Sequence, residues 1–177
     1  MLRAFGLEKV QVLSGGFQSA VKLGIPTNSG EEIFEKTSFI LKENWSLSTS
    51  TLEEVEKEIS ENTATVIDVR DSYRYRGESE PIDLVAGHIP GAINIPFSEN
   101  LDENGEFLSP EILKKKYQNL LTDLSQQKKL IIHCGSGVTA CHTILALDYA
   151  GFPIPNLYVG SWSEWSRREG KEIATEI

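Results

Sequence analysis

Cys134 is the residue of this chain best placed for covalent chemistry. It follows the apolar run Leu130-Ile131-Ile132 and His133, and precedes Gly135-Ser136-Gly137-Val138-Thr139. The run reads as a short strand buried on both faces. Beyond the loop, Val138, Cys141, Ile144, Leu145, Leu147 and Tyr149 recur at helical spacing, and Gly151 stands where such a helix would end. The expected unit is a strand, a cysteine at its carboxyl end, a glycine-bearing turn and a helix N-terminus. The first N–H groups of a helix lack intrahelical partners and face the turn that precedes them. With the helix dipole they favour negative charge, so a thiol held there loses its proton more readily. Gly135 and Gly137 let the loop curl until successive N–H groups, those of Val138 and Thr139 among them, converge on one point. Such a loop suits a thiolate, a persulfide or a bound oxyanion.

Arg74 is the expected anion-binding partner, because a guanidinium offers a two-pronged fork to a carboxylate or sulfonate. Ser136 places a hydroxyl beside the sulfur, and Thr139 can cap the helix or close the loop. Arg70, two residues after Asp68, reads as a structural ion pair. His88, in Gly-His-Ile-Pro-Gly, reads as a turn anchor. Cys141 reads as core. His133, Cys134, Cys141 and His142 lack the paired spacing of a zinc site, and no metal is expected. A cysteine phosphatase would close its loop with an arginine to clamp phosphate. Ala140 stands in that place, so this chemistry is disfavoured.

These groups need a frame. Thr51 and Glu54 form a capping box ahead of Leu52, Val55 and Ile59. Ala64–Val69 is rich in β-branched residues and reads as a central strand. Ser38–Leu41 and Ala92–Phe97 read as further strands, and Arg70–Gly87 as a long charged loop. Ser109-Pro110 opens a helix that buries Ile112, Leu113, Tyr117, Leu120 and Leu121. Leu157–Val159 is a last strand, followed by a short helix carrying Trp162 and Trp165. Strands alternate with helices, which predicts an α/β fold: a mostly parallel sheet with helices on both faces. Ligands of such sheets bind beyond the carboxyl ends of the strands, where Cys134 and the Arg70–Gly87 loop both lie.

The composition excludes other classes. A net charge of -9 over 177 residues argues against a nucleic-acid partner. No apolar run approaches the ~20 residues of a membrane span. With only two cysteines and no secretory signal, a reducing cytoplasm is the expected location.

The first residues echo the last. Phe5–Ala20 lies on Ala150–Trp165 without a gap at a constant offset of 145, pairing Gly6 with Gly151, Gly15 with Gly160 and Phe17 with Trp162. Residues 1–27 are therefore expected to be the C-terminal remnant of a preceding repeat together with the start of a linker. Residues 28–34 continue that linker, and residues 35–177 form the domain that carries the chemistry.

Asp68-Val69-Arg70, Gly87-His88-Ile89-Pro90-Gly91-Ala92, the run from Cys134 to Cys141 and Gly160-Ser161-Trp162-Ser163-Glu164-Trp165 together resemble the C-terminal domain of tandem rhodanese-type sulfurtransferases. The resemblance implies a rhodanese-like fold and sulfur transfer through a Cys134 persulfide, with no cofactor. A small anionic donor, thiosulfate or 3-mercaptopyruvate, would load the cysteine. A thiol, cyanide or a thioredoxin-like protein would accept the sulfur. By this resemblance Arg74 contacts the donor's anionic group, and Ser136 assists proton movement. Gly135 and Ser136 stand where thiosulfate-specific members carry basic residues, which resembles the 3-mercaptopyruvate branch. Ile82 follows Glu80-Pro81 where that branch has a second arginine, so both donors stay open. An N-terminal rhodanese-like domain is the implied partner. The alternative is a weakly active or non-catalytic rhodanese-like carrier or interaction module.

Overall fold

The computed structural model describes residues 1–40, 45–124 and 128–176. Among these residues five strands form one sheet in the order β1-β5-β4-β2-β3, with β1 Thr49–Ser50, β2 Ala64–Asp68, β3 Ile93–Asn94, β4 Lys129–His133 and β5 Asn156–Tyr158. Every neighbouring pair of these strands is parallel. The helices are α1 Gly16–Lys22, α2 Leu52–Ser60, α3 Ser72–Arg76, α4 Pro110–Leu124, α5 Val138–Tyr149 and α6 Ser161–Trp165.

Alternation along the strands explains why both faces are covered. Val66 and Ile131 join Leu52, Val55, Tyr75, Trp162 and Trp165 in one core. Ile67 and Ile132 join Leu113, Tyr117, Ala140, Ala146 and Leu147 in the other. Successive strand residues point to opposite faces, so α2, α3 and α6 pack on one side and α4 and α5 on the other. β4 lies centrally between β5 and β2, and its register sets Ile132 against Ile67 and His133 against Asp68.

Local signals are obeyed where the chain has them. Thr51 and Glu54 form the reciprocal capping box of α2. The Ile112 N–H donates to Ser109 Oγ at the start of α4. Other expectations need correction. Residues 38–40 form no strand, and Leu41 lies outside the described residues. The Ala92–Phe97 strand shrinks to Ile93–Asn94. The expected loop after Val69 contains α3, whose Tyr75 is buried and donates its hydroxyl to Ala92 O at 2.6 Å. Ile112 is exposed, and the side chain of Leu120 lies outside the described residues. Along α5 the buried residues are Ala140, Thr143, Ala146 and Leu147, while Val138 and Tyr149 face solvent. Cys141 is exposed as well, not core, because it lies off the face that meets the sheet.

The N-terminal echo is visible in the backbone. The hydrogen bonds Phe5 N to Met1 O, Gly6 N to Arg3 O and Leu7 N to Leu2 O recur 145 residues later as Ala150 to Ala146, Gly151 to Asp148 and Phe152 to Leu147. Gly6 and Gly151 both take positive φ, at 96° and 83°. α1 and α6 begin at matching positions, Gly16 and Ser161, again both at positive φ. Arg3 and Asp148, also 145 residues apart, form an ion pair. Among the described residues no helix is long and apolar enough to cross a membrane.

Candidate active site

The site grows from the carboxyl end of β4. Ile131 and Ile132 are fully buried on opposite faces, which fixes the strand, and β4 ends at the buried His133. Cys134 follows at 2% exposure. The Gly137 N–H donates to Cys134 Sγ at 3.1 Å. Gly137 manages this turn at φ 84°, a left-handed conformation that costs a residue with a Cβ about 1–2 kcal/mol. Val138 and Thr139 follow in the first turn of α5, where their N–H groups have no intrahelical acceptor. Ser136 and Val138 are exposed on the loop; Gly135 and Thr139 are half-buried.

Helix α6 clamps the other side of the loop. The Trp162 N–H donates to Cys134 O at 2.9 Å and the Ser163 N–H to Gly135 O at 2.8 Å. Ser161 Oγ accepts from the Cys134 N–H at 3.3 Å and donates to Tyr158 O at 2.9 Å.

Beneath the loop lies a charged network. Arg70, 1% exposed, donates to Asp68 through Nε and Nη2, to Gly87 O at 2.6 Å and to Glu80 at 3.2 Å. Its guanidinium also lies 4.6 Å from the Trp162 ring centroid. The expected Asp68–Arg70 pair is thus a structural strut. Arg74, on α3, bonds Glu80 at 2.8 Å and Asp83 at 3.4 Å. Burial pushes the Glu80 carboxyl up, but hydrogen bonds from Arg74 and from the Asp83 and Ile82 amides leave it below its usual value. A Cβ built on Gly135 would lie 3.5 Å from both Arg74 Nη2 and Asp83 Oδ2, so the Arg74 guanidinium reaches the cysteine loop. Asp83 Oδ1 accepts from Ser163 Oγ at 2.5 Å, which closes the network back onto α6.

The fold therefore brings Cys134, Gly135, Gly137 and Arg74 together, with Ser136, Val138 and Thr139 on the same loop. Arg76 stands apart, half-exposed and paired with Glu78. His88 is buried, stacks on Tyr75 at 3.7 Å and hydrogen-bonds Tyr75 O at 2.8 Å, as a turn anchor should. His133 is buried 3.8 Å from Asp68, and burial holds its pKa below the usual value. His142 stacks on Phe107 instead. Glu80, Asp83, Ser161 and Ser163 support the site without having been singled out. Ser161 and Ser163 lie in the recognisable Gly-Ser-Trp-Ser-Glu-Trp stretch, whereas Asp83 had no sequence signal of its own. Two sizeable cavities, about 400 and 860 Å³, lie elsewhere, and neither is lined by Cys134.

Comparison with known proteins points the same way. Residues 51–168 match the family of rhodanese-like domains. The chain is 40% identical over 168 residues to a probable 3-mercaptopyruvate sulfurtransferase of Pseudomonas aeruginosa, covering 94% of this chain and 58% of that protein. It is 41% identical over 175 residues to a thiosulfate sulfurtransferase of Rattus norvegicus, covering 97% of this chain and 58% of that protein. The crystal structure of Tum1 from Saccharomyces cerevisiae superposes with a TM-score of 0.83 at 27% identity, covering 99% of this chain and 63% of that one. The chain thus spans somewhat over half the length of the curated relatives it matches.

Proposed function

The chain belongs to the rhodanese family, and from that premise we propose that it is a sulfurtransferase working through a persulfide on Cys134. The observation that carries this reading is the cradle itself: the Gly137 N–H donates to Cys134 Sγ at 3.1 Å, with the Arg74 guanidinium against the same loop. In the first step the Cys134 thiolate attacks the outer sulfur of thiosulfate. The S–S bond breaks, and sulfite leaves with its electron pair. With 3-mercaptopyruvate the C–S bond breaks instead, and the pair passes to the carbon beside the ketone, which takes a proton to give pyruvate. In the second step cyanide or a thiolate attacks the outer persulfide sulfur, and Cys134 leaves as thiolate, completing a two-step exchange.

In this reading Arg74 orients the donor's anionic group, Ser136 handles the proton, and the N–H groups of Gly135, Gly137, Val138 and Thr139 line the cradle. Thiosulfate and 3-mercaptopyruvate both remain donors, and a thioredoxin-like protein is one acceptor, in the cytoplasm. We also assign residues 1–27 to the end of a preceding rhodanese-like repeat and the start of a linker, with residues 28–34 continuing the linker and residues 35–177 forming the catalytic domain. The recurring backbone bonds at an offset of 145 support this assignment. A second reading, a weakly active persulfide carrier or interaction module, draws on one observation: Arg74 is already paired with Glu80 and Asp83.

Intact mass after incubation with each donor separates these readings. The enzyme gains about 32 Da, reversed by a thiol and absent in Cys134→Ser. Gain with slow release to every acceptor selects the carrier. No gain from either donor refutes the enzyme and the carrier, and leaves the interaction module.

A further inference from the structure

Asp83 is an acid in a place where an anion-binding site has little use for one. Its side chain is 2% exposed, and its Oδ2 lies 3.4 Å from Arg74 Nη2. Arg167, half-exposed on the outer side, approaches its Oδ1 at 3.6 Å. The same Oδ1 accepts from Ser163 Oγ. A Cβ built on Gly135 would meet Asp83 Oδ2 and Arg74 Nη2 at the same 3.5 Å. Positive and negative charge therefore flank the residue after the cysteine at equal reach. Asp68, Glu80 and Asp83 balance Arg70, Arg74 and Arg167 across this network.

We propose that Asp83 is the specificity-determining residue that sets how much donor charge the Cys134 loop tolerates. It offsets Arg74 and Arg167 at the loop, and so favours a singly charged donor over a doubly charged one. Specificity of this kind rests on a built-in repulsive element as much as on attraction. Two features of the contacts support the assignment. Glu80 alone already bonds Arg74 Nε through both its oxygens, so Asp83 is not needed to hold that side chain. Ser163 and Arg167 hold Asp83 in place from the α6 side, which keeps its charge at the loop. The inference extends the sulfur-transfer reading of the same site, and its first test does not depend on turnover.

The test compares alkylation of Cys134 by iodoacetate, an anion, and by iodoacetamide, its neutral counterpart of similar size. Access to the buried sulfur largely cancels in the ratio of the two rates. A Cys141→Ser background removes the exposed second thiol. Asp83→Asn is expected to raise the iodoacetate-to-iodoacetamide ratio roughly three- to tenfold at low ionic strength, an effect that shrinks as salt screens it. Asp83→Glu keeps the parental ratio, and Arg167→Gln, at an exposed position that does not threaten folding, lowers it. A merely structural role would change both rates together and leave the ratio and its salt dependence alone. An unchanged ratio in both Asp83→Asn and Arg167→Gln overturns the proposal.

Donor kinetics then connect the charge to selection. In Asp83→Asn, kcat/KM for thiosulfate rises relative to that for 3-mercaptopyruvate, because the dianion feels the lost repulsion twice. A shifted alkylation ratio with no sulfur loading from any donor would sink the sulfur-transfer reading while the local charge assignment stands. Loading with an unchanged donor ratio would sink the selection by Asp83 alone.

Discussion

Gly137→Ala tests whether the cysteine loop is as tightly fitted as its geometry implies. Two penalties should add there. The residue sits at φ 84°, and its new Cβ would meet Val159 O at 3.1 Å. The backbone penalty alone is about 1–2 kcal/mol. The contact involves a backbone carbonyl, which cannot swing aside as a side chain would, and relieving it should bring the total to about 2–3 kcal/mol. Gly151→Ala provides the internal reference. Gly151 has nearly the same φ, 83°, but nothing lies within 4 Å of its Cβ position. It ends α5 in the left-handed position that glycine favours, so its substitution should cost only the backbone term, about 1–2 kcal/mol. In thermal unfolding, each kcal/mol lowers Tm by roughly 2–4 °C for a chain of this size. Gly137→Ala should therefore fall several degrees further than Gly151→Ala. It should also slow sulfur loading of Cys134, because the displaced N–H is the one that donates to Sγ. Equal losses of Tm in the two variants would refute the close packing of the loop on Val159.

Other perturbations probe the network beneath. Asp68→Asn leaves Arg70 buried without its main carboxylate, and should cost about 3–5 kcal/mol in urea unfolding, with Glu80 holding it to the lower end; a loss below about 1 kcal/mol would contradict the strut. Burial holds the His133 imidazole below its ordinary 6.5, Asp68 opposing and Arg70 and His88 assisting. The unfolded chain thus takes up a proton there that the folded chain resists, and stability should fall as pH drops from about 7 toward about 5. His133→Gln should flatten that slope, and parallel slopes for the two proteins would show that other groups cause it. Cys141→Ser should leave stability within about 0.5 kcal/mol and sulfur loading intact, because Cys141 is exposed on α5; a loss matching that of Cys134→Ser would move the nucleophile.

What the sequence made legible was local. The Thr51–Glu54 capping box, the Leu130–Ile132 strand and the Ser109-Pro110 helix start each depend on residues within a few positions of one another. Helix α3 escaped notice because Ser-Tyr-Arg-Tyr-Arg has no apolar stripe; distant partners hold it, Ala92 through Tyr75 and Glu80 through Arg74. Periodicity puts Cys141 in the core because α5 is apolar nearly all round and offers no single face to choose. The buried face carries the small residues Ala140, Thr143 and Ala146 together with Leu147. The same contrast holds at the site. Cys134 and its glycines are contiguous and readable, whereas Asp83 and Ser163 acquire meaning only when the fold brings them together.

Ser161 shows how the loop's support is bound up with strain. It is one of two residues other than glycine at positive φ among those described, at 55°. A conformation of that kind costs about 1–2 kcal/mol for a side chain with a Cβ. At the equivalent position 145 residues earlier stands Gly16, φ 65°, where the same backbone carries no such cost. The difference between the two positions is what the side chain does. Ser161 Oγ bonds the Cys134 N–H and Tyr158 O, and no cysteine loop leans on Gly16. If that exchange is correct, Ser161→Gly gains about 1 kcal/mol of backbone relief and loses two hydrogen bonds of about 1 kcal/mol each, leaving stability only slightly lowered. Ser161→Ala loses the same bonds, keeps the strain and should be the less stable of the two. Urea unfolding of the pair decides the matter. An alanine variant more stable than the glycine variant would mean that the left-handed turn costs nothing, and that the hydroxyl is not what keeps a serine there.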